Sequence, residues 1–212
     1  SSRRNYCTMT SAASSPIEFY FDFSSPYGYL AARIIDAEAA EHGRKVTWRP
    51  FLLGAVMKQT KAEPLLTIPI KGDYARHDLA RAARYYDIPF VVPPQFPFAS
   101  IAACRAFYWL NGTDPAKARD FALFLYERAF LAGKDISKPD SVLEAASDAG
   151  LDPVAMASAL QDPAIKELLK AEVDKAIKKG VFGSPFFLVD GEPFWGHDRI
   201  AEVREWLRKG GW

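Results

Sequence analysis

Strand-forming sequence is confined to the two ends of this 212-residue chain. At the first end IEFYFDF, residues 17–23, is aromatic and β-branched with acids at alternate positions, the pattern of a strand. Pro26 then opens a helix through YGYLAARIIDAEAAEHG, closed by Gly43. KVTWRPFLL reads as a second strand, with Pro50 marking its end. A single crossover helix between two strands predicts a parallel pair with a right-handed connection. At the other end VFGSPFFLVDGEPFW holds two short apolar runs around Asp190-Gly191, a hairpin signal. Asp198 then caps a last helix, DRIAEVREWLRKG, which stops at Gly210.

Between these ends, from about residue 55 to residue 180, strand signals vanish. GAVMKQTKAEPLLTIPIKGDY is predicted as a long irregular loop, a length that usually marks function. Six helical segments follow: 78–87, 100–111, 115–133, 140–150, 153–160 and 163–180, each with apolar residues near i, i+3 and i+4. The order is therefore βαβ, an all-helical insertion, then ββα. That is the α/β order of a thioredoxin-like domain (16–55 and 180–212) interrupted by a loop plus helical subdomain (56–179).

Apolar residues at 49% and charged residues at 25% suit a globular chain with a real core. A net charge of +1 with no Lys/Arg stripe argues against a nucleic-acid partner. No apolar run approaches the ~18 residues of a membrane span. The cysteines, Cys7 and Cys104, form no C-x-x-C and no metal pattern, and Cys104 sits in a helical segment as a buried thiol. Nothing requires an oxidising compartment, so a cytoplasmic location is expected, or the mitochondrial matrix in a eukaryote. Residues 1–15 are Ser-rich and lack acids, which fits a presequence or added residues before a start at Met9, and they are set aside as a disordered leader.

The chemistry concentrates at FDFSSPYGYL, where a strand turns into a helix at Pro26. An anion at such a helix start is stabilised by unpaired amides and the helix dipole, and a thiolate is the usual one in a thioredoxin-like fold. This junction offers Ser25 and no cysteine, so the thiolate would come from a bound cofactor and the hydroxyl would donate to its sulfur. A plain helix cap fits Ser25 as well. A serine nucleophile fits poorly, because no G-x-S-x-G surrounds it, and His42, His77 and His197 have no ligand spacing for a metal.

Ser184-Pro185 ahead of an apolar strand is where a cis-proline would leave the preceding N–H and C=O free for an extended peptide. Glutathione is such a peptide. Asp198 and the free amides at the last helix start could receive its γ-glutamyl end, and Lys71 on the long loop its glycyl carboxylate. Each position also has a bland reading, as a turn proline, a helix cap and a solvated lysine.

FDFSSPYGYL, WRPFLLGAVMK, the Pro69, Lys71 and Tyr74 of PIKGDY, FGSP and FWGHDR occur in one order and spacing. Together, from about residue 16 to the end, the chain resembles the 2-hydroxychromene-2-carboxylate isomerases, relatives of kappa-class glutathione transferases. The resemblance implies a thioredoxin-like domain with a helical insertion, glutathione as cofactor and a homodimer. It puts Ser25 where the related disulfide oxidoreductases carry their first active-site cysteine, assisting the glutathione thiolate. Lys71 matches the lysine at the glycyl carboxylate, Ser184 the backbone position before the cis-proline Pro185, and His197 and Asp198 the γ-glutamyl end.

Three positions depart from the family pattern: Ala62 stands where some kappa-class enzymes carry an asparagine, Gly28 where serine is frequent, and Ser184 where many relatives are apolar. The implied reaction is reversible thiolate addition to a ring-fused aromatic hemiketal, bond rotation and loss of glutathione, giving trans-o-hydroxybenzylidenepyruvate in naphthalene breakdown. Conjugation of electrophiles by the same thiolate and a non-catalytic thiol- or peptide-binding module are the alternatives. Tyr27, Arg49, Phe51 and Trp195 are candidates for the pocket that holds the small aromatic substrate, with the core as the alternative place for each.

Overall fold

The computed structural model describes residues 15–212. The leader, Ser15 aside, lies outside the described residues. Strand β1 (Ile17–Phe21) leads through the Ser24-Ser25 turn into α1 (Pro26–Ala32) and α2 (Ile35–Ala40), and β2 (Val46–Pro50) follows. Then come α3 (Leu53–Thr60), α4 (Lys71–Tyr85), α5 (Ile101–Asn111), α6 (Pro115–Phe130), α7 (Pro139–Asp148), α8 (Pro153–Gln161) and α9 (Pro163–Lys178). The chain closes with β3 (Phe186–Val189), β4 (Glu192–Trp195) and α10 (Ile200–Lys209). The sheet order is β2-β1-β3-β4, with β1 parallel to β2 and antiparallel to β3. This is the expected α/β arrangement, with the helical segments inserted between its two halves.

Local chemistry explains most boundaries. Five helices begin on proline (Pro26, Pro115, Pro139, Pro153, Pro163), where a missing N–H costs nothing and φ is already helical. Asp114, Asp152 and Asp162 each accept amide hydrogens from the turn they open. Asp190 and Gly191 both have positive φ, 54° and 85°, as a two-residue hairpin turn requires.

Two expectations are corrected. The helix predicted over 26–43 is broken at Arg33 and Ile34 with no proline or glycine to signal it. The break coincides with a tertiary contact, Arg33 to Glu127 on α6 at 3.0 Å. The long irregular loop is largely helical: α3 occupies 53–60, a 3₁₀ turn occupies Leu65–Thr67, and α4 begins at Lys71.

The core runs from the sheet into the inserted helices. Phe19 stacks on Phe21 and Phe187, Trp48 packs edge-on to Phe19 and Phe21, and Tyr126 of α6 lies against Phe21 and Phe23. All six are buried, each contributing about 1.5–3 kcal/mol from burial, so the insertion and the sheet share one apolar interior. Cys104 is buried within it, as expected, and burial pushes its thiol well up.

Candidate active site at the strand–helix junction

Ser25 caps α1. Its backbone is extended, φ −92° and ψ 113°, and its Oγ accepts the Gly28 N–H at 3.0 Å. The same hydroxyl donates its proton to the Ser184 carbonyl at 3.0 Å. The two loops paired by the sequence reading, at residues 25 and 184, are thus in direct contact. The Ser184–Pro185 peptide is cis, and the Pro185 carbonyl accepts the Gly196 N–H at 3.0 Å. One detail differs from expectation: the Ser184 C=O is taken by Ser25, and only its N–H lacks a backbone partner among the described residues.

Gly28 is required by this arrangement. A Cβ there would lie 2.6 Å from the Tyr126 hydroxyl and 2.8 Å from Ser184 Oγ. Serine at 28 is therefore incompatible with a hydroxyl at 184, which joins two of the departures noted above. Gly183 is constrained in the same way, because the Trp195 indole lies directly over it.

Beneath the junction sits Asp22, 3% exposed. Its Oδ1 accepts the Ser24 N–H and hydroxyl, both at 2.9 Å, and the Ser100 hydroxyl at 2.6 Å. Its Oδ2 accepts the first amide of α3, Leu53 N–H, at 2.8 Å. Its carbonyl accepts the Ser25 N–H at 2.9 Å and the Tyr126 hydroxyl at 2.7 Å, and its own N–H donates to Ser184 Oγ at 3.0 Å. The sequence reading passed over Asp22 as an alternating strand acid. A lone carboxylate between Phe21 and Phe23 was the available signal.

The junction opens onto a cavity of about 1450 Å³. Phe96, Phe98, Ile101, Phe182 and Trp195 contribute apolar wall. Lys71 also borders it, but as the first residue of α4, not on a loop. Its N–H bonds the Pro69 carbonyl at 2.8 Å across Ile70, whose φ of 69° and ψ of −56° are strained for a β-branched residue. Asp198 borders the cavity too and does not cap the last helix; its carboxylate folds back over Gly196. Among the described residues, neither Lys71 nor Asp198 has an opposite charge within salt-bridge distance.

His197 stacks on Tyr27, ring centroids 5.0 Å apart and 10° from parallel, with Nδ1 3.4 Å from the Tyr86 hydroxyl. Burial pushes its pKa below the ordinary histidine value, against the opposing pull of Asp198 and Asp78. Tyr27 donates to Asp78 at 2.8 Å, and burial together with that carboxylate raises the phenol strongly. Burial pushes Asp78 up, but the hydrogen bonds from Tyr27 and Arg81 outweigh it and hold the carboxyl low.

Of the four pocket candidates, Tyr27 and Trp195 line the cavity. Phe51 is fully buried against Tyr20, and Arg49 pairs with Glu18 at 2.9 Å and Glu172 at 3.7 Å. Both lie at the β2 end, where neighbouring strand and helix residues satisfy them away from the cavity.

A four-stranded sheet with a cis-proline loop facing a helix-capping residue defines the thioredoxin-like fold class. The chain belongs to the DSBA-like thioredoxin domain family, whose description matches residues 16–208. It is 31% identical over 193 residues to a 2-hydroxychromene-2-carboxylate isomerase from Sphingobium xenophagum, covering 90% of this chain and 97% of that one. It is 29% identical over 204 residues to glutathione S-transferase kappa 2 from Caenorhabditis elegans, covering 90% and 91%. A solved 2-hydroxychromene-2-carboxylate isomerase superposes with a TM-score of 0.80 at 26% identity, over 91% of this chain and 94% of that one. Its relatives are thus isomerases and glutathione transferases, and an enzyme of that group is what the chain encodes.

Proposed function

We propose that the protein is a glutathione-dependent isomerase converting 2-hydroxychromene-2-carboxylate to trans-o-hydroxybenzylidenepyruvate in aromatic hydrocarbon breakdown. The observation that carries the reading is the Ser25 hydroxyl, placed at the helix cap, 3.0 Å from the carbonyl before a cis-proline. Glutathione, when bound, supplies a thiolate that adds reversibly to an electrophile, and covalent catalysis of that kind divides one hard isomerisation into easier steps.

The charge pattern fits glutathione: a lysine without a carboxylate and an aspartate without a cation border one cavity, matching a peptide with a carboxylate at one end and an ammonium at the other. Lys71 holds the glycyl carboxylate. The Ser184 N–H pairs with the peptide backbone beside Pro185. Asp198 receives the γ-glutamyl ammonium, with His197 kept neutral beside it by burial. Ser25 turns its proton from the Ser184 carbonyl to the sulfur, while the Gly28 N–H continues to donate to its oxygen. A hydrogen bond to a charged partner contributes about 1.5–3 kcal/mol, enough to favour the ionised sulfur at neutral pH. The apolar wall holds the aromatic ring. A homodimer in the cytoplasm is part of the same reading, and light scattering tests its mass.

The test is ultraviolet absorbance of the thiolate as glutathione is titrated into wild-type and Ser25→Ala protein. A neutral-pH signal that weakens in the variant supports the reading; no signal and no binding would leave a thioredoxin-like thiol- or peptide-binding module. Kappa-class transferase activity is the second reading, supported by the Caenorhabditis elegans relative. Turnover of hydroxychromene carboxylate against conjugation of a generic electrophile separates the two.

A further inference from the structure

We infer that Asp22, which has no role in the reaction outlined above, is the positioning residue that holds the Ser25 site together. The two carboxylate oxygens of Asp22 take four donors, and its backbone C=O and N–H make three further bonds. The partners belong to separate parts of the chain: the Ser24-Ser25 turn, the start of α3, Ser100 before α5, Tyr126 on α6 and Ser184 before the cis-proline. Four of these five segments border the cavity. The side chain reaches three of the five segments and the backbone the other two.

A neutral side chain could not do the same work. Each donor aimed at Asp22 is an N–H or a hydroxyl, and an ionised carboxylate is an acceptor at both oxygens. Asparagine keeps the shape but offers an NH₂ in place of one oxygen. If its oxygen stays with Ser24 and Ser100, the NH₂ faces the Leu53 N–H, donor against donor. The first turn of α3 must then shift, and with it Leu53 and Met57 on the cavity wall. If the amide turns over, the Ser24 N–H loses its acceptor, the Ser24 and Ser100 hydroxyls must turn to accept, and the Ser25 turn loosens.

Asp22 also acts on the serine pair. Its carbonyl fixes the Ser25 N–H, and its N–H fixes Ser184 Oγ, so Ser25 and the residue before the cis-proline are both referenced to the backbone of one residue. Displacement of that residue changes the Ser25 to Ser184 separation directly, and a shift of 1 Å at a reacting site is costly for orientation. Asp22 touches no ligand in this scheme.

The role in catalysis rests on the glutathione reading; the structural coupling does not. The experiment therefore has two readouts on Asp22→Asn and Ser100→Ala. Without ligand, amide hydrogen exchange at Ser24, Ser25 and Leu53 should speed up about tenfold or more in Asp22→Asn, as expected when a charged acceptor is lost. With glutathione, the apparent thiolate pKa, read from absorbance against pH, should rise and kcat should fall about tenfold, with KM changed less than about threefold.

A thiolate pKa that falls would mean that Asp22 acts only as a nearby negative charge, and would overturn the proposal. Exchange rates equal to wild type would overturn it as well. Should Asp22→Asn fail to fold, Ser100→Ala decides: it removes one of three donors from Oδ1 and should move each readout in the same direction by less. Absence of a thiolate signal in wild-type protein would sink the glutathione reading alone, and the exchange data would still judge the coupling.

Discussion

Glu18 and Asp22 are the two acids of the β1 segment, four residues apart, and they live in different chemistry. Glu18 is met by full charges, Arg49 at 2.9 Å and Lys179 at 2.8 Å, at a partly exposed edge. Asp22 is 3% exposed and has only neutral donors, from nearby Ser24 and from residues 31, 78 and 104 positions away. Water can replace the partners of Glu18, and a salt bridge in such a place is worth little. Asp22 itself is shielded, so losing the carboxylate leaves donors packed around it without an acceptor. Opposite charge is therefore a poor guide to which of the two acids the fold depends on.

The largest expected effect separates them directly. Asp22→Ala should destabilise by about 3 kcal/mol or more, since several buried donors each lose an acceptor at about 1–3 kcal/mol. Glu18→Ala should cost about 1 kcal/mol or less. Urea midpoints measured side by side check both, and equal losses would break the contrast.

Gly28→Ala comes next. The added methyl meets the Tyr126 and Ser184 hydroxyls, both held by Asp22, and overpacking of this kind costs about 1–3 kcal/mol. Combining it with Ser184→Ala should recover only part of the loss, because Tyr126 remains in the way.

The pH dependence of Glu18 is smaller. Burial pushes its carboxyl up, but Lys179 and Arg49 outweigh burial and hold it below the ordinary value. A carboxyl lowered in the folded state stabilises above its unfolded pKa, and that contribution is lost as pH falls through the folded one. Glu18→Gln should therefore flatten the acid side of the stability curve slightly while changing little at neutral pH.

Smallest is His197, shifted the opposite way for a base. Burial lowers its pKa, so the unfolded chain binds the proton more readily and stability declines as pH drops below about 6.5, the unperturbed value. His197→Phe should remove that decline and leave the Tyr27 stack in place. Comparison of thermal midpoints at pH 5.5 and 7.5 would show it.

Much of the fold was legible because its signals are local. Proline at helix starts, Asp-Gly in the hairpin and aromatic alternation in β1 each act within a few residues, and the structure places them as read. The misses were of another kind. Lys71 looked like a loop residue because proline and glycine surround it, yet the helix begins on it after a single strained residue, Ile70. Asp198 looked like a cap, but the chain takes a 3₁₀ turn first, His197–Arg199, and α10 starts later. For Arg49 and Phe51 the sequence leaves pocket and core both open, and only the packing of β2 against its neighbours chooses the second.

By itself the sequence determined the order of elements, where most of them start, and which hydroxyl stands at the junction in place of a thiol. These follow from backbone preferences that operate over one turn or one hairpin. Only the tertiary structure decided that Gly28 must lack a side chain, that Ser25 bonds the carbonyl of Ser184, and that Asp22 joins five segments. Those depend on groups as many as 162 residues apart meeting at the wall of one cavity, where the buried donors must find their acceptors within the protein.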